Sequence, residues 1–169
     1  MIYAIVLFAI ITRFIPHMPN FAPITALAIF SAANLGWKKS VALTLAVRFI
    51  SDIFLGFFAW PLMVAVYASH LAGVLFGVWI KKSGNHRWAK IISSSLFSSA
   101  IFFLVTNFAF FYGSYSHNLS GIMAAYVNGL PFFRGTLLGD VGYTTALFGG
   151  YEFVKWLAAQ KSKRLMPNT

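Results

Sequence analysis

The lysines and arginines of this chain are gathered into a few short runs, and between the runs lie long apolar stretches with hardly a charge. A helix that crosses a bilayer needs roughly 17–25 mostly apolar residues. Six segments approach that length: Met1–Ile15, Phe21–Leu35, Ser40–Phe58, Trp60–Ile80, Ala89–Tyr112 and Phe132–Ala159. They predict an all-α fold, a polytopic membrane bundle of six transmembrane helices. Residues 1–160 form one domain in this reading, and 161–169 form a basic cytoplasmic tail. The apolar stretch Gly121–Leu130 is too short to cross and runs into Pro131, so it is expected to be re-entrant or to lie on the membrane surface. The first segment has neither a basic start nor a small-residue cleavage site, and is read as a retained helix rather than a signal peptide.

Composition agrees with that layout. Only 9% of the 169 residues are charged, and 59% are hydrophobic. A soluble domain is about 25% charged, and a disordered chain needs low hydrophobicity, so both classes are excluded. The net charge of +10 does not point to nucleic acid, because the basic runs sit between apolar segments, where they fix topology and meet anionic lipid. With six crossings, Lys38 and Lys39, then Lys81, Lys82, Arg87 and Lys90, then Lys155, Lys161, Lys163 and Arg164 share one side. The opposite loops hold almost no Lys or Arg, which places both termini in the cytoplasm. The partners expected on this ground are the lipid bilayer and a small-molecule substrate, not nucleic acid.

A charge inside hydrocarbon costs at least about 2.5 kcal/mol on insertion scales, so each one calls for a partner or a purpose. Arg13 ends the first helix, with His17 and Asn20 in the turn beyond it. Arg48 and Asp52 are spaced i, i+4 and can pair on one face. His70 lies midway along the fourth helix beside Gly73-x-x-x-Gly77, a close-packing signal, and reads as an interhelical hydrogen-bonding group or as a ligand-binding one. Asn107 lies on the outer half of the fifth helix; Arg134 opens the sixth, with Asp140 further in on one face with Thr136 and Thr144. Asp140 has no basic residue at i±3 or i±4, so its partner must come from another helix, a bound solute or a proton. Converging on one half of the bilayer, these groups would make a solute pocket: His17, Asn20, Asp52, His70, Asn107, Arg134 and Asp140.

Catalytic chemistry finds no support. No phosphate-binding loop or dinucleotide fingerprint is present, the four histidines do not have metal-ligand spacing, and there is no cysteine. Ser69 and His70 are neighbours on a helix and point about 100° apart, which does not make a dyad. The chain is therefore expected not to be an enzyme and to carry no metal or other cofactor.

Arg13-Phe14-Ile15-Pro16-His17-Met18-Pro19-Asn20-Phe21-Ala22-Pro23, Ser51-Asp52-Ile53-Phe54-Leu55-Gly56, Val105-Thr106-Asn107-Phe108 and the run Pro131–Asp140 resemble the signatures of an uncharacterised bacterial membrane-protein family. That family is similar to the substrate-binding (S) components of energy-coupling-factor vitamin transporters, closest to the solitary cobalamin type. The resemblance implies a multi-pass protein of the bacterial inner membrane with an outward-facing pocket lined by His17, Asp52, Arg134 and Asp140. In the solitary cobalamin type a cysteine thiolate meets the cobalt; without cysteine here, His70 or His17 takes that place or the substrate is not a corrinoid. An energising ATPase module is the partner the resemblance raises. The Ala-x-x-x-Ala face used for such docking on helix one is not matched by Ala4 and Ala9, and the spacing recurs at Ala28 and Ala32 on the second helix. The expected function is uptake of a micronutrient, vitamin- or corrinoid-like. The alternative is a structural or accessory membrane subunit whose polar residues fasten helices together.

Overall fold

The computed structural model describes residues 2–15, 18–82 and 87–165, with the side chains of residues 2, 3, 5, 6, 9 and 162–165 left out. The described chain is all-helical, with six helices: α1 (Ile2–Thr12), α2 (Ile24–Leu35), α3 (Trp37–Leu55), α4 (Trp60–Lys81), α5 (Arg87–Ser114) and α6 (Leu119–Leu165). α4 and α5 are long and apolar enough to cross a membrane, in keeping with membrane association. α1 and α2, at 11 and 12 residues, reach only about 17–18 Å at 1.5 Å per residue, short of a hydrocarbon core of about 30 Å.

α2 is the axis of the fold. Every residue from Ile24 to Ala33 is buried, because α3, α4, α5 and α6 all pack around it. A helix that is apolar all round belongs in such a place. Against α4 the fit depends on small residues. A Cβ on Gly73 would sit 3.2 Å from Ala28 Cβ, and one on Gly77 would sit 2.6 Å from Ala32 Cβ. The Ala28-x-x-x-Ala32 spacing thus belongs to an internal seam, fully buried, and offers no face to a docking partner.

α5 and α6 run antiparallel. Trp88 lies by Gly149, Asp140 by Ser99 and Asn107 by Gly129 in one steady register. α6 corrects one expectation. Gly121–Leu130 is neither re-entrant nor a separate surface piece, because one 47-residue helix runs through it, with Pro131 inside. Proline removes the bond to the carbonyl four residues earlier, here that of Val127, and both residues are on an exposed face. The helix runs on into the basic segment from 161 as far as Leu165.

The α1–α2 linker, the α3–α4 loop and the α5–α6 turn meet at one end of the bundle. Phe14 packs on Phe54 with ring centroids 6.0 Å apart, and Asn20 shares a cavity with Phe110 and Gly129. Gly36 and Gly56 close α2 and α3 with φ of 90° and 97°, left-handed values that side chains resist. Gly56 N–H bonds the Asp52 carbonyl at 2.9 Å, so α3 stops one turn past that carboxylate.

The Gly77→Ala variant should lose about 1–3 kcal/mol of stability through overpacking. Gly142→Ala, where a Cβ meets nothing within 4 Å, should be neutral to stabilising. Unfolding of the two variants in detergent measures the contrast.

Candidate functional site

The chain has three acidic side chains, and their surroundings differ sharply. Glu152, at the α4–α5 end, binds Arg87 at 2.6 Å and Lys155 at 3.4 Å, with all three partly exposed. Asp52, in the last turn of α3, is 1% exposed. Its Oδ1 accepts from Arg13 Nη2 at 2.8 Å; its Oδ2 accepts from Arg48 Nε and from the Tyr67 hydroxyl, each at 2.9 Å. Arg13 Nε also donates to Ser51 Oγ. A carboxylate near a helix C-terminus opposes the helix dipole, and two guanidinium groups offset that and its burial. The cluster carries two cations against one anion, and Arg13 and Arg48 both line a cavity beside it.

Asp140, the third, is 2% exposed. Ser99 Oγ on α5 donates to its Oδ2 at 2.7 Å, and Thr25 on α2 lines the same cavity. Among the described residues no cationic nitrogen pairs with it. Thr25 Oγ1 is also 3.1 Å from His70 Nδ1. The buried His70 ring lies against Phe102, centroids 5.1 Å apart, and its Nε2 has no hydrogen-bond partner.

These groups meet at one cavity. It holds about 220 Å³ and is lined by Arg13, Asn20, Ala22, Thr25, Arg48, His70, Phe102, Thr136 and Asp140. A second cavity of about 280 Å³ adjoins it, sharing Asn20, Phe102 and Thr136. Its remaining walls are mostly aromatic, from Phe103, Phe110, Phe132 and Phe133, with Asn107 and Thr106 as polar points. One compartment offers guanidinium, imidazole and carboxyl groups; the other offers ring faces.

The linker after α1 roofs both. Asn20 adopts φ 61°, a left-handed conformation that asparagine tolerates better than most residues. Its neighbours lie on the backbone of α6: a Cβ at Gly135 would collide with the Pro19 carbonyl oxygen, and one at Gly139 would sit 3.1 Å from Phe21 Cα and Ala22 N. These glycines let non-helical chain lie against the helix that carries Thr136 and Asp140.

Over residues 1–163 the sequence matches a protein family described as a family of unknown function, DUF6580. The chain belongs to the DUF6580 family. No curated protein and no solved structure matches it.

Of the site residues expected in this DUF6580 chain, the structure brings Asn20, His70 and Asp140 to the polar cavity and Asn107 to the aromatic one. Asp52 stands behind the wall, with both oxygens taken by Arg13, Arg48 and Tyr67. Arg134 is a correction. It lies mid-helix rather than at a helix start, is exposed and lines neither cavity. It sits two positions before Thr136, which turns it to roughly the opposite side of α6. His17 lies outside the described residues. Sequence reasoning missed Thr25 and Tyr67; each stands alone among apolar neighbours, which was the available signal. Phe102 gave none, since phenylalanines are everywhere.

Asp52→Ala, which strands two arginines, should cost about 3–5 kcal/mol. Replacing Arg13, Arg48 and Asp52 together by apolar residues of similar size should recover most of that loss. Equilibrium unfolding of the two variants tests it.

Proposed function

We propose that this DUF6580 chain is a six-span protein of the bacterial inner membrane that takes up a small anionic solute bearing a flat apolar part. The observation that carries this is the adjacency of an arginine-bearing cavity and an aromatic one beneath the same linker. The spare guanidinium N–H groups of Arg13 and Arg48 suit a carboxylate or another planar anion. The ring faces of Phe103, Phe132 and Phe133 suit a flat apolar body. The distribution of Lys and Arg turns this end of the bundle toward the periplasm.

Two features favour a transporter over a purely structural subunit. Irregular backbone at membrane depth is tolerated where it lines a cavity, and the linker carrying Pro19 and Asn20 does so. Binding sites of transporters are often built from such broken helical segments, and α1 and α2 are short for spans. The cavity sizes favour a small solute over a corrinoid, whose macrocycle and side chains far exceed either volume. Binding and a change between two states of the bundle do the work here, with no covalent step.

The test is a thermal-shift panel of small aromatic and heteroaromatic monocarboxylates on the purified protein. A ligand at a hundred times its Kd should stabilise the wild type by about 2.7 kcal/mol. Phe103→Ala should stay folded and weaken binding at least tenfold, which cuts that stabilisation to about 1.4 kcal/mol or less. A panel without any shift, or a shift that Phe103→Ala leaves intact, contradicts the reading.

A further inference from the structure

Asp140 differs from the other two acids in having a hydroxyl partner where they have cations. Ser99 of α5 bonds it, and the same cavity is lined by Thr25 of α2 and by His70 of α4, whose Nδ1 is 3.1 Å from Thr25 Oγ1. Arg48 of α3 and Arg13 of the linker line the same cavity, and each pairs through one nitrogen with Asp52 rather than with Asp140. A second hydroxyl layer follows. Ser95 and Thr144 lie one turn further along α5 and α6, fully buried and without hydrogen-bond partners. The carboxyl of Asp140 thus shares its cavity with an imidazole whose buried Nε2 has no hydrogen-bond partner among the described residues.

We propose that the occupant is a proton, and that Asp140, Thr25 and His70 form a proton-binding switch that couples uptake to proton movement. In this proposal a chain from His70 through Thr25 to Asp140 defines its two states. With Asp140 ionised, Thr25 Oγ1–H donates to the carboxylate. Thr25 oxygen then accepts from His70 Nδ1–H. A neutral imidazole carries one ring hydrogen, so Nε2 of His70 is bare in this state. A proton arriving at Nε2 moves the chain by one place. The Nδ1 hydrogen passes to Thr25 oxygen, the original Thr25 hydrogen passes to Asp140, and His70 is left neutral with Nε2–H. One proton has been gained, Asp140 is a neutral acid, and the free nitrogen in the cavity wall has changed from acceptor to donor. Loss of a proton from Nε2 reverses every step. The polar cavity therefore presents different chemistry to a solute in the two states.

The use of this proton in transport rests on the uptake reading; the switch itself does not, because it can be observed without a ligand. With three acidic side chains in the chain, infrared spectroscopy can assign the protonated carboxyl band by substitution. The full chain in detergent should show such a band that fades as pH rises, survives Glu152→Gln and vanishes in Asp140→Asn. Nitrogen-15 resonances of His70, assigned through His70→Gln, should change from Nε2–H to bare Nε2 as the band fades. Thr25→Val should keep the carboxyl band but uncouple the histidine from it. Melting curves show that each variant is folded. An Asp140 that stays ionised at every pH where the protein is folded overturns the proposal, as does a His70 tautomer that ignores Asp140. Stabilisation by sodium over choline with Asp140 ionised would assign the site to a metal cation instead, and also overturns it. A positive titration with a silent ligand panel would leave the switch standing and remove the uptake reading.

Discussion

An ionised carboxylate without a partner is costly wherever water is excluded, and the architecture of this protein is arranged around two buried carboxyl groups. Asp52 is satisfied by brute pairing, with two guanidinium groups and a phenol around it. Asp140 is given the Ser99 hydroxyl, with no cation among the described residues. The first arrangement ties the linker after α1 to α3 and α4. The second ties α6 to α5. Together they hold the walls of the polar cavity from several parts of the chain.

Small residues make that arrangement possible. Gly73 and Gly77 bring α4 close enough to α2 for His70 to reach Thr25. Gly135 and Gly139 let the linker backbone rest on α6 beside Thr136 and Asp140. Gly129 leaves room for the Asn107 side chain in the α5–α6 contact. Packing and site are thus one problem here: each glycine that allows a close approach also sets the position of a polar group.

Much of this was legible in the sequence, for physical reasons that also explain the rest. The bounds of α3, α4 and α5 follow from apolar runs ending in Gly, Pro or basic clusters, so they come within a few residues of expectation. The pairing of Arg48 with Asp52 is local and shows in i, i+4 spacing; the addition of Arg13 and Tyr67 is tertiary and does not. Asp140 stood out because no nearby residue could neutralise it. Arg134 was drawn to it by proximity along the chain, and that inference failed because Pro131 did not start a helix. Once α6 begins at Leu119, the register around its axis separates the two charges. Thr25 was passed over because a lone hydroxyl on an apolar helix acquires meaning only from what the neighbouring helices place against it.

In the proposed topology the cavity under the linker opens to water at the α1–α2 end and faces the periplasm. Because the chain has no cysteine, a single introduced thiol reports accessibility directly. Thr136→Cys, on the shared wall of both cavities, should react with a membrane-impermeant thiol reagent applied to the periplasmic face, while Ser94→Cys, fully buried, should not. A Thr136→Cys protein that is inert from that face, or labelled only from the cytoplasmic one, would contradict the account.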